Sequence, residues 1–149
     1  MQRVKIRDIR NAEFIEATLQ AVHKHGLGAV TMSEIAQETG ATAASINYYF
    51  GSKERLMEAT MRHLLGLLRA AVVRNLTAAD TPLDRLYATL DANFDDQLFT
   101  AEKCSVWVQF WAAAPYAPAL ARLQRLNRAR VASHLRHDLR PLMDRDQAA

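Results

Sequence analysis

Between Thr31 and Phe50 the chain reads "TMSEIAQETGATAASINYYF", and three positions in it constrain the local geometry. Ala36 is small, Gly40 follows four residues later, and Ile46 stands six beyond that. Two helices that cross closely need a small residue at the crossing. The tight turn between them needs a residue that accepts positive φ, and the second helix needs an apolar anchor. Ala36, Gly40 and Ile46, the last packing beside Ile35, meet those needs in order. "TMSE" adds a capping box from Thr31 to Glu34, and Thr42 can cap a helix from Ala43 to Tyr49. An ordinary αα-hairpin satisfies the same spacing.

The flanks favour a helix-turn-helix that meets DNA. Ala43, Ala44, Ser45 and Asn47 are small, and small or polar residues on the outer face of the second helix can enter a major groove. Thr31 and Lys53 each stand at a helix N-terminus, where free amides and the dipole favour phosphate. Tyr48 and Tyr49 are about 100° apart on a helix, so both cannot point into one core. One packs and the other is exposed, and an exposed tyrosine beside a lysine can donate to phosphate.

Elsewhere the periodicity is helical. Ile15, Leu19 and Val22 define a first helix from about Ile9 to His25, ended by Gly26 and Gly28. Ser52 caps a long helix with Leu56, Met57, Met61, Leu64, Leu65, Leu68 and Val72 on one face. Thr81-Pro82 opens a helix carrying Leu83, Leu86, Tyr87, Leu90 and Phe94. Another runs from about Ala101 to Ala114. The last begins near Pro118, turns Leu120, Leu123, Leu126, Val131 and Leu135 inward, and is expected to stop at Pro141. The fold class is all-α, with a helix-turn-helix domain over 1–52 and a helical bundle over 53–149. The opening "MQRVKIRDIR" is expected to be disordered in isolation, as an arm along phosphate or minor groove or as a solvated tail.

The formal net charge of +3 is compatible with a nucleic-acid partner without requiring one. A single cysteine, Cys104, forms no internal disulfide, and a small core role is favoured over a catalytic one. No signal peptide is expected, because the opening residues carry Arg3, Lys5, Arg7, Asp8 and Arg10 and no uninterrupted apolar segment follows. The most apolar stretch, from Val106, is broken by Gln109, Pro115 and Pro118 and falls short of the ~20 residues that a membrane span needs. A soluble, cytoplasmic chain without membrane contact is expected. No metal-ligand cluster, nucleophile–base pair or phosphate loop is present, so no enzyme activity, metal or cofactor is expected. The arginines of the last helix, Arg122, Arg125, Arg128 and Arg130, read as a solvated face rather than a second nucleic-acid surface.

Trp107, Phe110 and Trp111 lie at i, i+3 and i+4, Tyr87 and Phe94 precede them, and Tyr116 follows the bend. Aromatics at helical spacing often form core. They can also box a quaternary ammonium, which has no N–H to donate and is attracted by ring faces. Asp91, Asp95, Asp96 and Glu102 are candidate carboxylates for such a site.

The pattern "T-x-x-x-I-A-x-x-x-G" followed by "Y-Y-F-x-x-K-E-x-L" resembles the TetR family of one-component repressors. "EATMRHLLGLL", "ANFDDQLF", "VQFWAAA" and "PALARLQRLNRARVASHL" are similar to its choline-responsive members, which control glycine-betaine synthesis genes. The resemblance implies a repressor of palindromic double-stranded DNA, released by a small cationic effector such as choline. Carried over by position, it puts phosphate contacts on Thr31, Tyr49 and Lys53, with Tyr48 also facing DNA. Base-facing positions fall on Thr42, Ala43, Ala44, Ser45 and Asn47. Many members have an aromatic where this chain has Asn47, and lysine or glycine at Ala43 and Ala44, so thymine methyls and DNA shape carry more of the readout. The effector-binding candidates are Tyr87, Phe94, Trp107, Phe110, Trp111 and Tyr116. Relatives continue through two further helices that form a homodimer interface. A chain ending at Ala149 is expected to be truncated there, which leaves the dimer in question. A helical ligand-binding or scaffold protein that has lost operator binding is the alternative.

Overall fold

A computed structural model describes residues 2–146. Among these residues there are seven α-helices: α1 (Gln2–His25), α2 (Met32–Gln37), α3 (Ala43–Phe50), α4 (Lys53–Leu76), α5 (Pro82–Asp91), α6 (Ala101–Ala113) and α7 (Pro118–Asp146). Short 3-10 turns follow α5 and α6. Threonine or serine caps set most of the starts. Thr31, Thr42, Ser52, Thr81 and Thr100 each accept the backbone N–H three residues on, satisfying an amide that has no partner within its helix. Thr31–Glu34 and Thr81–Asp84 close reciprocal capping boxes.

The turn between α2 and α3 follows the sequence spacing. Gly40 has φ +65°, a conformation that costs other residues strain. Ala36 is buried, and its carbonyl accepts the Ala41 amide at 3.0 Å, folding the turn back onto α2. Ile35 and Ile46 are both fully buried.

Phe14, Leu19, Val22, Ile35, Ile46, Leu56, Met61 and Leu64 belong to one buried core that also contains Val106, Phe110, Leu120 and Leu123. The core therefore runs unbroken across residue 52, because α1 packs on α6 as well as on α2 and α4. A smaller cluster, Ala71, Ala92 and Leu98, closes the far end of α4. Gln109 of α6 makes the polar joint. Its Oε1 accepts the Leu27 N–H at 2.7 Å, and its Nε2 donates to the Val22 carbonyl at 3.3 Å and to Ser105 Oγ at 3.2 Å.

Four sequence expectations are corrected. α1 starts at Gln2 rather than near Ile9, so the basic opening segment is helical, with no glycine or proline before Gly26 to stop it. α5 ends at Asp91, and Phe94 lies in the 3-10 turn after it. Pro141 sits inside α7. Proline removes one backbone bond, and α7 is anchored just before it by buried Asp138, which pairs with Arg85 Nε at 3.1 Å. Leu126 and Val131 are 48% and 39% exposed rather than turned inward, because their stretch of α7 borders open clefts instead of a packed helix.

Candidate functional site

α3 presents its N-terminal half outward. Thr42, Ala44, Asn47 and Tyr48 are exposed, and Ala43 and Ser45 are half-buried. The Thr42 hydroxyl accepts Ser45 N–H at 3.1 Å, so it is committed to the cap. Tyr48 is 85% exposed, whereas Tyr49 packs edge-on against Phe14 with ring centroids 5.4 Å apart. The two tyrosines also meet edge to face at 5.5 Å, so half-buried Tyr49 steadies exposed Tyr48. Phe50 completes the anchor against Phe14 at 6.3 Å.

Thr31 caps the start of α2 and Lys53 opens α4, with the Lys53 charge acting on the Glu34 carboxylate that closes the Thr31 capping box. Thr31 donates both its N–H (2.7 Å) and its hydroxyl (2.9 Å) to Glu34 Oε2. Both Thr31 donors are therefore taken, and contact with phosphate requires an exchange of partner. Those bonds, the backbone one foremost, hold the Glu34 carboxyl below the usual glutamate range, with His25 and Lys53 adding attraction. Lys53 Nζ is 3.5 Å from the Gly28 carbonyl. Lys24 bonds both oxygens of Glu38 at 2.8 Å, tying the end of α1 to the end of α2.

A second candidate lies between α4, the segment after α5, α6 and α7. A cleft of about 300 Å³ is lined by Phe94, Phe99, Trp107 and Trp111, with Leu68, Cys104 and Asn93 among its walls. Phe94 and Phe99 stand edge to face at 5.2 Å, and Trp107 and Trp111 are 5.8 Å apart. Phe99 was missed by sequence reading. Its signal was its place just before the Thr100 cap, a position where an apolar residue commonly packs toward the helix it precedes.

The other aromatic candidates lie elsewhere. Phe110 is buried in the main core. Tyr87 borders a shallow cleft with Asp84 and Asp91. Tyr116, 88% exposed, lines a cleft with Lys53 and Glu54 at the start of α4. Among the described residues no carboxylate lines the aromatic cleft. Asp95 pairs with Arg74, Asp91 lies beside Tyr87, and neither Asp96 nor Glu102 reaches the lining. Ring faces and dipoles alone are available to a ligand there. Arg122, Arg125, Arg128 and Arg130 are all exposed. Among the described residues, no cluster of three His, Cys, Asp or Glu is placed to hold a metal, and no helix is long and apolar enough to cross a membrane.

A capped helix-turn-helix with an outward second helix, fused through one core to a ligand-sized aromatic cleft, defines a one-component DNA-binding regulator. Residues 14–60 match the tetR family of bacterial regulatory proteins, and residues 82–149 match the C-terminal domain of BetI-type transcriptional repressors. The chain belongs to the TetR family, among its BetI-type repressors. It is 41% identical over 136 residues to the HTH-type transcriptional regulator BetI of Burkholderia mallei, an overlap of 91% of this chain and 70% of that one. It is 39% identical over 150 residues to BetI of Ectopseudomonas mendocina, covering 99% of this chain and 76% of the relative. A transcriptional regulator from Saccharomonospora viridis, solved in complex with choline, shares the fold with a TM-score of 0.80 at 21% identity, over 89% of this chain and 69% of that one.

Proposed function

We propose that this repressor binds a palindromic operator in genes for conversion of choline to glycine betaine, and leaves it when choline or a related quaternary ammonium enters the aromatic cleft. Thr42, Ala43, Ala44, Ser45 and Asn47 face the bases. Tyr48, Tyr49 and Lys53 hold phosphate, and Thr31 joins them if DNA displaces its hydroxyl from Glu34. The observation that carries the effector reading is the convergence of Phe94, Phe99, Trp107 and Trp111 on one cleft. Each ring face offers a quaternary ammonium about 0.5–2 kcal/mol, depending on desolvation. The choline-bound relative of the same fold supports the same ligand class. α6 carries both tryptophans and, through Gln109, the bond to α1, so a ligand that shifts α6 acts on the helix-turn-helix directly.

Fluorescence anisotropy on a labelled palindromic duplex tests this. The chain should bind at low salt and lose affinity when choline is added. Trp107→Leu should bind DNA unchanged and ignore choline. Choline-insensitive binding by the unaltered chain sinks the effector reading. A folded chain that never binds DNA sinks operator binding and favours a ligand-binding protein.

A further inference from the structure

The aromatic cleft does not end at its rings. Its walls Leu68, Asn93, Asn127 and Val131 are shared with a second cleft of about 350 Å³ between α4, α5 and α7. That second chamber has an aliphatic floor and a different polar complement: Arg69, Arg130, His134 and Thr89. Thr89 is 6% exposed, and its Oγ1 has no hydrogen-bond partner. A buried hydroxyl left unpaired costs free energy that a ligand acceptor would recover. Neither Arg69 nor Arg130 forms an ion pair among the described residues. Glu58 pairs with Arg62, Asp95 with Arg74, and Asp138 with Arg85. No carboxylate lines either chamber among the described residues.

One chamber thus attracts a methylated cation through ring faces, and the adjoining one offers two guanidinium groups and a hydroxyl, unpaired among the described residues, over an apolar floor. Guanidinium groups pair with carboxylates in planar, bidentate geometry, and they repel a second cation. Resting on the effector reading above, the geometry points to a zwitterion as the preferred ligand: a trimethylammonium carboxylate whose two charges are separated by a short aliphatic spacer. The ammonium sits against Trp107, Trp111, Phe94 and Phe99. The spacer passes Leu68 and Val131, and the carboxylate meets Arg69, Arg130 and the Thr89 hydroxyl. A bare cation such as choline fills the aromatic end only and gains nothing from the arginines.

The test is calorimetric titration of the full chain with γ-butyrobetaine, its methyl ester, choline and hexanoate. The ester keeps the ammonium and the length but removes the anion; hexanoate keeps the anion and removes the ammonium. The acid should bind at least about tenfold tighter than the ester, the value of one charge-assisted hydrogen bond. Arg69→Met and Arg130→Met, both at exposed positions, should erase that preference without lowering ester affinity. Thr89→Val should weaken the acid selectively while thermal stability holds or rises, which a purely structural threonine would not do. Trp107→Leu should weaken acid and ester alike. Equal binding of acid, ester and choline overturns the zwitterion and leaves the effector reading standing. Binding of hexanoate alone overturns both.

Discussion

Tyr48 and Tyr49 are neighbours with different environments, and substitutions should separate them. Tyr49 packs on Phe14, so Tyr49→Ala should cost at least ~1 kcal/mol and lower the melting temperature. Tyr49→Phe keeps the ring and isolates the hydroxyl's contribution to DNA. Tyr48→Ala, at an 85% exposed position, should leave the melting temperature unchanged and weaken all duplexes alike. An equal loss of stability in both alanine variants would contradict this assignment. The Glu34 carboxyl is held below its ordinary value near 4.5. Its contribution is therefore complete above that value and is lost as the pH falls through the lowered one. Thermal unfolding followed from about pH 6 to pH 3 should show a steeper loss for the unaltered chain than for Glu34→Gln, which keeps an acceptor but does not titrate. Sequence showed that one tyrosine must pack and the other must not. It could not show which, because the choice depends on where Phe14 of another helix lies.

Helix starts were more legible than helix faces. The caps at Thr31, Thr42, Ser52 and Thr81 are local chemistry, and each sits where its sequence says it should. α7 carries through Pro141, where its tertiary anchor, Asp138 on Arg85, comes from another helix and leaves no local mark. The aromatic candidates divided for a similar reason. Spacing put Phe110 with Trp107 and Trp111, but the core claims the α6 face that holds Phe110 and leaves the tryptophans beside the cleft. Two predictions belong to the helices themselves. Ala36→Leu should wedge α2 from its neighbours at a cost of about 1–3 kcal/mol, seen as a lower denaturant midpoint. Gln109→Leu leaves the Leu27 amide unpaired and takes a partner from the Val22 carbonyl, for about 1–3 kcal/mol. If α6 carries the signal, that variant should still bind DNA and choline but show a reduced loss of DNA affinity when both are present. A full choline response would remove Gln109 from the route.

For the molecule as a whole, DNA binding should be dominated by phosphate charge. The logarithm of affinity should fall linearly with the logarithm of salt concentration, and Lys53→Ala should reduce that slope by about 1. An unchanged slope would take Lys53 off the backbone. The all-α class and the helix-turn-helix were readable because they rest on short-range spacing, whereas the joint between reading head and bundle rests on residues 82 and 87 positions apart. That joint bears on how such regulators can be recombined. The Gln109 amide gives an acceptor to Leu27 and a donor to Val22, two fixed points on the same helix end, so it fits in one register only. With a core shared from Phe14 to Leu123, residues 1–52 are not an interchangeable cartridge. A chimera that grafts another reading head onto this bundle should respond to ligand only if the graft restores that register, however well the new head binds its own operator.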